Sequence, residues 1–170
     1  ASTLNGTVAL WNAAGGNDGI DAVTINGFTV GNGGDRIEYL QGSTDVLIGG
    51  FANNVDLTFN DLSFLAPNSV IELDANVAQQ SDPYALGTIA TMLDALNNVQ
   101  NGTYYIVVYD GNAADSNAFI YAATATEGDG FDFADTDGLG GVGVYDTDTV
   151  ELIAILTGVG SNNMTSQNFI

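Results

Sequence analysis

Residues 127–141, EGDGFDFADTDGLGG, hold five acids and no base. Asp129, Asp132, Asp135 and Asp137 are spaced two or three residues apart, with glycines between and around them, and Asp146 and Asp148 follow in YDTDT. Carboxylates ~4–6 Å apart raise one another's pKa and strain the segment that carries them. The ordinary remedy is a nearby Lys or Arg. This chain has one base, Arg36, against 21 acids, so its formal net charge is 1 − 21 = −20. A hard divalent cation is the remaining counter-charge. Calcium suits the composition, because it takes six to eight oxygens in flexible geometry and accepts backbone carbonyls as well as carboxylates. The competing reading is a solvated acidic loop.

Two further patterns bear on this chemistry. FADTDG matches the middle of the loop D-x-[DN]-x-[DN]-G-x5-E. Phe133 then takes the first ligand position and Val144 that of the bidentate Glu, which excludes an EF-hand. GNGGDRIEY is the better match to a calcium motif, the β-roll repeat G-G-x-G-x-D-x-U-x. Gly31, Gly33, Asp35 and Ile37 fill four of its five fixed places, with Val30 at the first. Gly19, Asp21 and Val23 repeat its second half upstream. In such a repeat the glycines allow tight turns, the Asp offers oxygens to the cation and the apolar residue turns into the core. The plain alternative is a pair of Gly/Asp turns. Asp35 and Asp21 therefore form a second candidate group beside the first. In VYDGNAADSNAF, Asp110 and Asp115 read as turn residues.

The elements that must position these acids are mostly strands. TVALW (7–11), AVTINGFTV (22–30), RIEYL (36–40), DVLIGGF (45–51), VDLTF (55–59) and SVIELDANVA (69–78) are short and rich in β-branched and aromatic residues. TYYIVVYD (103–110), NAFIYAATA (117–125), GVGVYD (141–146) and TVELIAILTGV (149–159) continue the series. YYIVVY and LIAIL are unbroken apolar runs, which suit strands covered on both faces. One segment has another period. Leu86, Ile89, Ala90, Leu93 and Leu96 recur at helical spacing and predict a helix near 83–97 that covers a sheet. Ser81 or Asp82 is placed to cap it, Pro83 suits its first turn, and Asn97 and Asn98 end it. The fold class expected is mainly β, a single domain over residues 1–170. It would be a sandwich or a compact β-roll-like sheet of eight to ten strands with one short helix.

Composition also excludes. With one base, the chain has no means of binding nucleic acid or an anionic membrane surface. No apolar run reaches the length of a membrane span. With neither Cys nor His, thiol catalysis, zinc sites and His-based triads fall away. Trp11 is the only tryptophan, and no nucleophile motif or phosphate loop accompanies the acids, so we expect no enzyme. Asn5, Asn101 and Asn163 head N-x-T triplets that could accept surface glycans.

With these residues assembled, GFTVGNGGDRIEYL resembles the stretch that closes calcium-repeat arrays in RTX-type (hemolysin-type repeat) bacterial proteins. The segment from GTYYIVVYDGNAADSNAFIYAA to SQNFI is similar to the C-terminal region that often follows such arrays. The likeness covers roughly residues 20–40 and 102–170. Asn168 stands where many relatives carry Asp. The resemblance implies type I secretion by an uncleaved C-terminal signal and folding outside the cell on meeting calcium. The function expected is a secreted, calcium-stabilised structural protein that self-assembles at the cell surface as a filament or layer subunit. Its partners would then be copies of itself. Segment 1–11 is a candidate for a strand added between subunits, the other possibility being pairing within its own chain. The alternative function is the C-terminal binding or secretion module of an adhesin.

Overall fold

The structure is a computed structural model that describes residues 7–12, 22–41, 44–45, 49–56, 62–74, 82–96, 98–111, 116–126, 130–131, 148–160 and 163–169. The described chain is mainly β, as expected, with nine strands and one α-helix. The strands are β1 (Thr7–Asn12), β2 (Val23–Asn26), β3 (Arg36–Gln41), β4 (Thr44–Asp45), β5 (Phe51–Val55), β6 (Val70–Leu73), β7 (Gly102–Tyr109), β8 (Asn117–Ala125) and β9 (Thr149–Thr157). The helix α1 is Leu86–Leu93, and a 3-10 turn spans Ser166–Asn168.

Two sheets form. The smaller has the order β1-β3-β4 and the larger β2-β9-β8-β7-β6-β5. In the larger sheet β5, β6 and β7 run parallel, β8 reverses, and β9 and β2 return to the first direction. Only β8 opposes the rest. Parallel neighbours need a crossover, and α1 lies in the one between β6 and β7.

β7 explains why TYYIVVY carries no polar alternation. Tyr104, Ile106 and Val108 face the layer built by Ile89 and Leu93 of α1, with Leu62, Leu65, Leu96 and Val99. Tyr105, Val107 and Tyr109 face the opposite layer, where Phe28, Ile37, Met164 and Phe169 lie. β9 shows a subtler device. Ile120 pairs with Ala154 but Tyr121 pairs with Leu152, so Ile153 is an extra residue in a bulge. Leu152 packs towards the helix, whereas Ile153 and Ala154 both belong to the far layer. The unbroken LIAIL run is thus apolar on both faces and also changes phase midway.

The helix is shorter than 83–97. Its geometric cap is Ala85, with no side-chain cap. Asp82 does not cap it, because its Oδ1 accepts the Tyr84 amide at 3.0 Å and closes a turn one step earlier. At the far end, Asp94 and Ala95 lie in a turn and Asn98 adopts φ 59°. The expected apolar stripe is nonetheless the buried one: Ile89, Leu93 and Leu96 are fully buried. Two sheet tyrosines pin the crossover at its ends. Tyr121 donates its hydroxyl to Pro83 O at 2.9 Å, and Tyr104 donates to Gln100 O at 3.0 Å. Burial raises both phenol pKa values, with Asp82 adding to the rise at Tyr121.

Other expectations are corrected. AVTINGFTV is a strand only over Val23–Asn26, since Gly27 (φ 73°) turns the chain. For residues 7–12 the structure shows the within-chain alternative: β1 pairs in parallel with β3, from Thr7 opposite Arg36 to Asn12 opposite Gln41. The strand proposed at 141–146 lies outside the described residues.

Candidate functional site

The stretch 29–35 is built as the sequence requires. Gly33 takes φ 79°, a conformation open to glycine. Gly34 sits where any Cβ would stand 2.2 Å from Thr29 O. The backbone closes there through Asp35 N–H to Thr29 O at 2.7 Å and Gly34 N–H to Gly31 O at 3.0 Å. Asp35 is fully buried, and its Oδ2 accepts the Thr29 amide at 2.8 Å. Ile37 turns into the core as the repeat pattern requires. Val23, the apolar residue of the upstream half repeat, does not. It lies at the start of an edge strand and is 41% exposed, while Ile25 takes the inward place. Asp21 lies outside the described residues.

The loop's principal partner is the C-terminal segment. Asn168 is fully buried and uses its whole amide. Its Nδ2 donates to Asp35 O at 2.8 Å, and its Oδ1 accepts from Gly31 N at 3.0 Å, Thr165 N at 3.1 Å and Thr165 Oγ1 at 3.1 Å. Phe169 follows, bridging to Ile37 and packing on Phe51 with ring centroids 5.7 Å apart. An ionised Asp at 168 would have no proton to give Asp35 O. Asp35 acts here as the acid that organises a turn against the tail.

The acidic stretch is bracketed rather than displayed. Asp129, Asp132, Asp135, Asp137 and Asp146 lie outside the described residues. Within the stretch, Phe131 is buried and meets Tyr104 edge-on, 5.7 Å between centroids at 83°. At the flanks, Asp148 Oδ1 accepts both the amide and the hydroxyl of Thr126, each at 2.8 Å. Asn101 Nδ2 donates to Thr126 O at 2.6 Å. Thr126 and Asp148, which flank residues 127–147 in the sequence, are thus bonded to each other. Asp110 is a turn acid, as expected: its two oxygens accept Asn117 N at 2.7 Å and Asn117 Nδ2 at 2.6 Å.

Among the described residues no three acids, histidines or cysteines gather into a metal cluster. Asp35 and Asp148 each spend an oxygen on a backbone amide. No described helix is long and apolar enough to cross a membrane.

Sequence reasoning missed the pair Glu72 and Tyr109. Both are fully buried, and the tyrosine hydroxyl donates to Glu72 Oε1. The available signal was a single acid inside the apolar run VIEL of a strand covered on both faces.

Comparison with known protein families, curated proteins and solved structures finds no match to this chain.

Proposed function

We propose that the protein is a secreted, calcium-stabilised structural subunit that assembles with copies of itself at the cell surface, into a filament or layer. The observation that supports this most directly is the direction of the two edges of the large sheet. Among the described residues, β2 pairs only with β9 and β5 only with β6. The two edge strands run the same way. A second copy can then lay its β2 beside β5 without turning over, and the pairing stays parallel. Such a contact is head-to-tail, and it propagates as an open fibre wherever the rotation between copies does not close a ring. Free edges invite strand addition.

Charge opposes this step. At −20 each subunit repels its copies, with a screening length of ~8 Å at physiological salt. Each calcium ion held by residues 129–146 removes two charges from that sum. No catalytic role is assigned. The test is sedimentation and negative-stain microscopy of the chain in calcium and in chelator. Filaments or sheets in calcium that dissolve in chelator support the reading, and a monomer at high concentration in both ends it.

A second reading, the terminal binding or secretion module of an adhesin, is favoured by the docked tail. The two stretches that carry the likeness to repeat proteins meet through Asn168 and the loop 29–35. A calcium-dependent monomer would favour that module.

A further inference from the structure

Asn5, Asn26, Asn32 and Asn101 each stand directly before a glycine. In such a pair the glycine, having no Cβ, leaves its amide nitrogen open to the asparagine side-chain carbon and lets the peptide between them turn freely. Asn5 lies outside the described residues. The fold treats the other three differently.

Asn26 ends β2, where it pairs with Thr157 of β9, and its Oδ1 accepts the Thr157 hydroxyl at 2.9 Å. Asn101 Nδ2 donates to Thr126 O at 2.6 Å, and Gly102 opens β7 opposite Ala125. At both places the side chain is held and the adjoining main chain belongs to a ladder. Asn32 and Gly33 are instead the two central residues of the turn closed by Gly34 N–H to Gly31 O at 3.0 Å. With Gly33 at φ 79° this is a type II turn. Both residues are exposed. Among the described residues nothing hydrogen-bonds to the Asn32 side chain or to the Gly33 amide. The peptide between them must swing towards the Asn32 side chain before the two can react, since reaction needs the atoms in contact and aligned. It can do so by giving up one turn hydrogen bond.

We propose that Asn32–Gly33 is a self-modification site, at which the folded chain converts Asn32 to isoaspartate and aspartate ahead of Asn26 and Asn101. The Gly33 nitrogen gives its proton to solvent base and attacks Asn32 Cγ. The new N–Cγ bond forms as Cγ–Nδ2 breaks, and Nδ2 leaves as ammonia. One water then opens the five-membered imide. Addition at Cγ restores the ordinary linkage as aspartate. Addition at the main-chain carbonyl leaves isoaspartate, with the chain running through Cβ and Cγ. Either product brings one more negative charge. Isoaspartate also adds a methylene to the main chain between Gly31 N and Asp35 O, the two groups that Asn168 grips. The reaction occurs within one chain and does not depend on assembly.

The test is to hold the folded full chain in mildly alkaline buffer at body temperature for several weeks, beside the same chain in concentrated urea. Peptic peptides, cut in acid where ring closure is slow, are then read by mass spectrometry, with electron-transfer fragmentation to tell isoaspartate from aspartate. Asn26 and Asn101 react only through local opening, so Asn32 should convert roughly tenfold faster or more in the folded chain. In urea the three rates should converge, and both products should appear at position 32. The site is overturned if Asn26 or Asn101 converts as fast as Asn32 in the folded chain. It is also overturned if Asn32 stays intact there while converting in urea, if the folded-chain ratio persists in urea, where local sequence alone decides, or if aspartate is the sole product.

Discussion

Asn168 donates its side-chain amide to the main-chain oxygen of Asp35, 2.8 Å away and 133 positions earlier in the sequence. The same side chain accepts from Gly31 and from Thr165. One amide therefore joins the glycine-rich loop to the end of the described chain, and its two ends cannot be exchanged for two like oxygens.

Asn168→Asp should accordingly destabilise the fold by about 1–3 kcal/mol at neutral pH, the cost of leaving a buried acceptor unpaired beside a new charge. Acid restores a donor, so the deficit should shrink as the new carboxyl protonates. Urea denaturation of both proteins at neutral and acid pH measures this. Equal midpoints at neutral pH would remove Asn168 as the joint.

Two glycines should respond in opposite directions to alanine. Gly34→Ala drives a Cβ to 2.2 Å from Thr29 O, and the strain should cost on the order of 1–3 kcal/mol. Gly87 lies in the helix with nothing within 4 Å of the built Cβ, so Gly87→Ala should stabilise by roughly 0.5–1 kcal/mol. Thermal melts of the two variants against the wild type decide both.

The buried carboxyl sets a pH dependence with a definite sign. Burial raises the folded pKa of Glu72 above its unfolded value of 4.5. The folded chain then keeps a proton that the unfolded chain releases. This contribution to stability is fully present below 4.5 and is lost as pH rises through the raised folded value. The Gln variant lacks the slope, so the wild type should weaken relative to Glu72→Gln as pH climbs. A constant difference in denaturation midpoint across that window would contradict it.

Calcium should raise the melting temperature by several degrees over chelator, since a ligand bound only by the folded state at a hundredfold excess over Kd contributes about 2.7 kcal/mol. Replacing Asp129, Asp132, Asp135 and Asp137 together by Asn should abolish that difference, and replacing Asp35 should not. Identical wild-type melts in calcium and chelator would end the calcium reading.

Assembly should fail when either sheet edge is charged. Val23 and Asn53 are exposed on β2 and β5. Val23→Glu or Asn53→Glu should leave the monomer's stability within about 0.5 kcal/mol while preventing filaments in microscopy. Unchanged filaments from both variants would rule out this edge contact.

What the sequence disclosed follows its physics closely. Double-faced burial of β7 and β9 was legible because no polar residue interrupts YYIVVY or LIAIL. The stripe Ile89–Leu93–Leu96 was legible because helical period is local. Parallel pairing was not, because β2 beside β9 and β1 beside β3 depend on partners far apart in the chain, and no local pattern names them. The helix ends were misplaced because Asp82 chose a turn over a cap, a choice set by the Tyr84 amide two residues on. Among the candidate ligands, Asp35 and Asp148 each also hold a backbone amide, a hydrogen bond that motif matching does not reveal. Asn168 passed as a departure from a pattern because its donor proton matters only once Asp35 O lies opposite it.

The joint between Asn168 and the loop also sets a timetable. Chains leave the ribosome from the N-terminus at ~5–20 residues per second. The 133 residues between the loop and its partner therefore take about 7–27 s to appear at that rate. During that interval Asp35 and Gly31 are exposed to solvent and to other nascent chains without the amide that satisfies them. β9 ends at Thr157, so Met164 and Phe169 follow shortly after the last strand of the sheet whose far layer they cover. A chain still being made thus holds its glycine-rich loop unsatisfied until its last described turn is in place.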